Sequence, residues 1–272
     1  VNIGNDPDDA STNAVWDSSF EMVQHMNDIT TSTIKDSTDN SNDGAKKAAN
    51  EPVESVGEVG QAQDFDGTDD YIDIGDVPLI DGATSFTISA IIRPDVNDNG
   101  AIIAKAVSAD RCFGLFVLAG SSYPTISIKA WNGSTSNVDY VNIATDSDAL
   151  PIGELHHVVA HLDLTTNSNS FIYVDSIAQA ATISTNGTKP TAIVATTIPV
   201  EIGRLWSGVH VYNGLLDELR VTSTDRSAGW VKGTYNTLFD TLLTYGSEET
   251  AAAEVTLVTM NGMIIIQGFF NS

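Results

Sequence analysis

In the run TSFTISAIIRP, residues 84–94, Phe86, Ile88, Ala90 and Ile92 recur at every second position, with Thr87, Ser89 and Ile91 between them. Side chains alternate across an extended strand, whereas a helix returns to one face only after three or four residues. This run therefore fits a half-buried strand and not an amphipathic helix. Further short runs of the same character follow at Ala101–Lys105, Cys112–Leu118, Thr125–Trp131, Asp139–Ile143, His156–Leu162 and Ser170–Val174, separated by clusters of Gly, Asn, Asp or Ser. Short strands punctuated in this way mark a sandwich of two antiparallel sheets.

The flanking segments extend the pattern. Upstream, Phe65, Tyr71, Ile72 and Ile74 interleave with Asp and Gly, which predicts an edge hairpin closed by a carboxylate-lined turn. Downstream, Ile177–Ile183 is expected to return as a hairpin partner about a turn at Asp175 and Ser176, and Thr196–Gly203 and Gly214–Thr222 complete the core strands. Residues 224–236, TDRSAGWVKGTYN, place Trp230 at helical spacing from Thr234 behind a Thr or Asp cap and predict one short helix over an end of the sandwich. Thr241–Tyr245 and Glu254–Met260 read as strands. The Asn261-Gly262 pair before MIIIQGFF predicts a terminal hairpin, whose apolar run needs a cover from its own domain or another subunit. The expected division is a linker or domain tail at 1–15, a main sandwich at 16–246 and a hairpin extension at 247–272. Residues 28–50 carry hardly any apolar side chain, so ordering them calls for a bound cation or contacts with neighbours.

Twelve basic against thirty-six acidic residues give a net charge of −24 over 272 residues. That balance argues against nucleic acid or an anionic membrane as partner, because both require a positive footprint. A solvated, mutually repelling surface and a cation-binding one both remain open. The lone Cys112 cannot form an internal disulfide and reads as a small core residue on the face of Gly114 and Phe116. No run approaches the ~18 apolar residues of a membrane span, so no membrane insertion is expected. The start at Val1, without Met or a charged-then-apolar leader, suggests a processed product or a fragment of a longer chain.

Taken in order, FDGTDDYIDIG, FTISAIIRP, LHHVVAHLD, FIYVDS and GLLDELRV resemble the laminin-G-like branch of the concanavalin-A-like lectin and glucanase domains, over roughly Trp16 to Tyr235. AVWDSSFEMVQHMND is similar to the segment that opens such domains in large surface and phage proteins. The resemblance implies an all-β, two-sheet antiparallel jelly-roll sandwich and a role on a cell or virion surface, and it implies no reaction. It also implies a structural Ca²⁺, with Asp28, Asp66 and Asp217 as first ligands and Asn42 or a backbone carbonyl beside them. Hard carboxylate and carbonyl oxygens are what Ca²⁺ takes, six to eight at about 2.3–2.6 Å.

Trp131 in KAWNGS and Trp206 in GRLWSGVHVYNG stand in Gly- and Asn-rich contexts at strand ends. Sugar faces stack on such rings while a neighbouring amide such as Asn132 holds hydroxyls, so these three are the candidate glycan contacts. Alternation places His157 and His161 opposite His156 in an apolar strand, which favours inter-strand packing over zinc. Asp217 and Glu218 are adjacent, so alternation directs them to opposite faces. They therefore do not supply the flanking carboxylate pair of a glycosidase.

The expected function is a non-catalytic extracellular, cell-surface or virion-surface protein acting in adhesion or assembly. Its partners would be copies of itself or other surface subunits, reached through the N-terminal arm and the C-terminal hairpin. A glycan- or receptor-binding module is the alternative, and a glycoside hydrolase a distant third.

Overall fold

A computed structural model describes residues 15–28, 32–47, 50–133, 139–206, 208–239, 256–260 and 263–267. The alternating run forms β7 (Ser85–Pro94), near the middle of an eight-stranded antiparallel sheet. On one side of it lie β12 (His156–Asp163), β13 (Phe171–Val174) and β14 (Ile177–Ala178). On the other lie β17 (Asn213–Thr222), β5 (Gln61–Asp66) and β4 (Val53–Val56), with β1 (Phe20–Gln24) also pairing with β17. The second sheet has nine strands in the order β15 (Ala181–Asn186), β11 (Tyr140–Thr145), β10 (Thr125–Trp131), β9 (Asp110–Leu118), β8 (Gly100–Val107), β16 (Val200–Ile202), β6 (Ile72–Gly75), β3 (Gly44–Lys46) and β2 (Thr33–Ile34).

Between the sheets, Phe86, Ile88, Ala90 and Ile92 of β7 meet Phe113, Leu115, Ile126 and Ile128 of the second layer, all fully buried. The Phe86 and Phe113 rings pack edge to face at 5.7 Å. Each of the isoleucine, leucine and phenylalanine side chains contributes roughly 1.5–3 kcal/mol on burial, and this layer is the main source of stability. The two-sheet antiparallel sandwich is as expected, with several local departures.

β7 is buried on both faces rather than half-buried, because Thr87, Ser89 and Ile91 are covered too. Part of that cover is the chain around helix α1 (Ala228–Leu238), which lies over the outer face of the sheet and not over an end of the sandwich. Thr87 Oγ1 donates to the Thr224 carbonyl at 2.6 Å, and Tyr235 of the helix stacks on His157 of β12. The helix starts later than expected: Ser227, not a Thr or Asp, is the cap, its hydroxyl accepting from the Trp230 amide.

β5 and β6 do not form a hairpin. Asp66 accepts from the Thr68 amide and Asp70 from the Asp66 amide, and this turn carries the chain from the first sheet to the second. Likewise Asp175 and Ser176, both at positive φ, close a two-residue turn as expected, but only Ile177–Ala178 pairs back. Ala181–Asn186 crosses to the second sheet and pairs with β11.

Residues 32–47 are ordered by contacts within the chain. The Asp36 carboxylate accepts from the amides of Val23, Thr38 and Asn42 and from the Thr38 hydroxyl, and Ile34 is fully buried. At the far end β18 (Thr256–Met260) and β19 (Met263–Gln267) pair as the Asn-Gly turn predicts. The arm at residues 1–14, the expected strand Thr241–Tyr245 and the side chains of this hairpin lie outside the described residues, and with them the expected self-association surfaces.

Candidate ligand-binding site

The outer face of the second sheet carries its own small apolar cluster, separate from the inter-sheet core: Ala101, Ala104, Ala106, Phe116, Trp131 and Leu205. Period two produces it. In ISIKAW the isoleucines and Ala130 turn inward, which leaves Ser127, Lys129 and Trp131 facing out. Neighbouring β9 presents Phe116 on that face, where its ring meets Trp131 edge to face at 5.9 Å. A Cβ on Gly114 would fall on the Phe116 ring, so glycine there leaves the ring its place.

Above this floor, residues 205–206 and 208–210 form a tight lip. The Leu205 amide donates to the Val209 carbonyl and the Val209 amide to Trp206. Gly208 and His210 both have positive φ, the left-handed region that such a reversal uses. The lip and the strands enclose a cavity of about 280 Å³ lined by Arg111, Lys129, Trp131, Asn142, Trp206 and His210, among others. One water occupies about 10–15 Å³ on this measure, so a solute the size of a sugar fits.

Two of the three expected glycan residues thus line one cavity although 75 positions separate them in the chain. Their roles differ. Trp131 is only 3% exposed and forms a wall, whereas Trp206 is partly exposed, packed against the apolar cluster at the rim. Asn132 does not join them: it is exposed, its amide donating to the Asp139 carbonyl, and it does not line the cavity. Asn142 of the adjacent strand supplies the cavity's amide, hydrogen-bonded to the hydroxyls of Ser127 and Ser184.

The cations were not anticipated. The Arg111 guanidinium lies over the Trp206 ring at 4.5 Å, and the Lys129 ammonium sits over Tyr140 at 3.5 Å and Trp131 at 4.9 Å. Burial pushes the Lys129 pKa down to about 8, with the Arg111 charge adding to the effect, and burial also lowers Arg111. Lys129 was legible two positions before Trp131 on the same strand face. Arg111 comes into place only through the pairing of β9 with β10.

The expected calcium ligands are divided. Asp28 Oδ2 accepts from Lys46 Nζ at 2.6 Å, and the Asn42 side-chain amide donates to the Glu21 carbonyl at 2.8 Å. Asp217 is fully buried, and its Oδ2 accepts from the amides of Glu58 and Val59. Among the described residues the one group of three convergent metal-ligating side chains is Asp66, Asp69 and Asp70, within 4.8 Å of one another in the turn between the sheets. Asp28, Asp66 and Asp217 do not converge on one point here: Asp28 is paired with Lys46, and Asp217 is held by the amides of Glu58 and Val59. Burial raises the pKa of Asp70, and the charges of Asp66 and Asp69 act in the same direction.

Asp217 and Glu218 also depart from simple alternation. Between Asp217 and Arg220 the register against β7 gains one residue, and Glu218 takes φ 50°, a β-bulge. The bulge brings both carboxylates to the outer side of the first sheet, where Glu218 bonds His25 at 2.5 Å and Arg220 at 2.6 Å. Below the bulge β17 pairs with β5, above it with β1. His161 bonds Thr87 and stacks on Phe171, while burial, with Arg220 adding, pushes the His157 pKa down to about 4. A bulge of the same kind isolates Cys112, which turns into the inter-sheet core rather than sharing the face of Phe116. Burial lifts its thiol to about 11.

A sequence model of the concanavalin A-like lectin/glucanases superfamily matches residues 66–232. No curated protein sequence matches the chain. Among solved structures, domain 4 of AbnA, an extracellular arabinanase from Geobacillus stearothermophilus solved with arabinotriose, aligns at TM-score 0.58 and 16% identity over 79% of this chain and 97% of that one. The binding domain of Paraclostridial Mosquitocidal Protein 1 aligns at 0.58 and 13% identity over 82% of this chain and 53% of that one. The binding domain of botulinum neurotoxin DC, solved with SialylT, aligns at 0.52 and 10% identity over 81% and 52%. This chain thus spans about half the length of these two binding domains, and identities this low establish the shared fold alone.

Proposed function

The chain belongs to the concanavalin A-like lectin/glucanase superfamily, and from that premise we propose that it is a non-catalytic glycan-binding module acting in adhesion at an extracellular or virion surface. The observation that carries this reading is the 280 Å³ cavity with Trp206 partly exposed at its lip and Trp131 and Phe116 behind it. Aromatic surface beside a few convergent polar groups suits a sugar ring, whose C–H face stacks while its hydroxyls meet donors such as Arg111 and acceptors such as Asn142.

Binding rather than hydrolysis is favoured by what lines the cavity. Glycosidases place two carboxyl groups across the scissile bond, about 5–10 Å apart. No Asp or Glu is among the described residues that line this cavity. The adjacent Asp217 and Glu218 lie on the other sheet, tied to backbone amides, His25 and Arg220. Two of the similar structures are named as binding domains and one was solved with arabinotriose, which accords with the reading.

The test is a glycan array probed with wild-type protein and with Trp206→Ala. We expect one sugar class to bind wild type and to lose several-fold to about tenfold in affinity on removal of the ring, since stacking on a single aromatic is worth about 0.5–1.5 kcal/mol beyond the area it buries. Either an array without a binder or undiminished binding by the variant would defeat the assignment.

A further inference from the structure

Building on the glycan-binding reading of this cavity, we propose that the ligand carries a negative charge, a sugar carboxylate or sulfate ester seated between Arg111 and Lys129. The chain has three acidic residues for every basic one, and most of its cations are neutralised where they stand. Lys35, Lys46, Lys105, Arg204 and Arg220, for example, each lie within 3.0 Å of a carboxylate oxygen. Arg111 and Lys129 do not. Among the described residues neither has a carboxylate within 4.0 Å, and both face the same cavity, held by rings instead.

Rings fix a cation without using its hydrogen-bonding capacity. An ammonium or guanidinium over an aromatic face still directs N–H donors elsewhere. The Nε–H of Arg111 is buried and has no partner among the described residues. Two like charges close enough to feel one another, partly withdrawn from water and without a counterion, raise the energy of the empty site. An anion placed between them relieves that repulsion and accepts the unused hydrogen bonds, and a neutral sugar does neither. Elsewhere the net charge of −24 repels anions, so this cavity stands out as the favourable landing place.

Carboxylate and sulfate share the needed chemistry, and an array carrying each glycan in neutral, uronic- or sialic-acid and sulfated forms separates the two. We expect the acidic forms, of one kind or both, to bind at least tenfold more tightly than their neutral counterparts. In calorimetric titration of the strongest acidic hit, Arg111→Gln and Lys129→Gln should each lose roughly tenfold, as removal of one charge-assisted hydrogen bond predicts. Both should also bring the acidic and neutral forms toward equal affinity. If the neutral forms bind as well as the acidic ones and Trp206→Ala abolishes both, the charge requirement falls while the glycan site stands. An array with no binder of any form overturns both readings. Should one variant fail to fold, as circular dichroism would reveal, the other decides the matter alone; a folded variant within twofold of wild type on the acidic ligand counts against the proposal.

Discussion

The ammonium of Lys129 lies 3.5 Å from the centre of the Tyr140 ring, nearer than to any other aromatic group described around it. The ring contact favours the charge, but the burial that comes with this position works against stability. The folded pKa of about 8 lies below the ordinary 10.5, so between those values the unfolded chain holds more protons. The contribution of Lys129 to stability therefore rises with pH through that window, and below pH 8 its full desolvation penalty applies. Lys129→Met should raise the melting temperature at pH 7, by an amount on the order of 1 kcal/mol in stability, and the gain should shrink toward pH 10. Thermal melts at pH 7 and 10 check this, and a lower midpoint for the variant at pH 7 would contradict it.

Asp217 offers the opposite sign. Burial lifts its pKa from 3.8 to about 7, against the amide of Val59 and with the Glu218 charge adding to the rise. Here the folded protein holds more protons between pH 3.8 and 7, so stability falls as pH climbs through that range and stays reduced above it. Asp217→Asn keeps an oxygen for the two amides and carries no charge. It should match wild type near pH 4 and exceed it by roughly 1–3 kcal/mol at pH 8, read from urea midpoints at both values. Equal midpoints at pH 8 would mean that the carboxylate is ionised without penalty.

Asp36 organises a segment that has little apolar surface of its own. Its carboxylate takes four hydrogen bonds, and burial nonetheless raises its pKa. Asp36→Ala would leave the Val23 and Asn42 amides without that acceptor and is expected to cost about 2–4 kcal/mol, with faster amide exchange confined to residues 32–47 and β1. Uniform exchange across the sandwich would show that the segment is held otherwise.

Calcium can be tested at the turn where three carboxylates converge. After EGTA, added Ca²⁺ is expected to raise the melting midpoint of wild type but not of an Asp66→Asn, Asp69→Asn double variant, because a ligand that binds only the folded state stabilises it by RT ln(1 + [L]/Kd). Asp28→Asn should respond as wild type does. No change in the wild-type midpoint would remove the metal from the account.

What the sequence made legible was what period two governs. The inward isoleucines of β7 and β10, the placing of Trp131 with Lys129 on one face, the Asp175–Ser176 turn and the pairing of β18 with β19 all follow from residues a few positions apart. What it hid depends on one-residue interruptions and long-range pairing. The bulge at Glu218 turned two carboxylates to one side, and the bulge at Cys112 separated it from Phe116. The run Phe65 to Ile74 had strand character twice, yet nothing local says that its two strands join different sheets. Asp28 and Asp217 looked free for a metal because Lys46 and the amides of Glu58 and Val59 reach them only through tertiary contact. Arg111 was invisible for the same reason, meeting Trp206 across nearly a hundred residues.

The apolar residues beneath the cavity form a group distinct from the inter-sheet layer. Side chains such as Arg111, Lys129 and Trp206 can therefore be exchanged without disturbing the packing on which folding depends. Ligand preference in this scaffold is thus open to drift and selection largely independently of folding. Relatives with the same layered body can be expected to differ most in the residues around this one hollow.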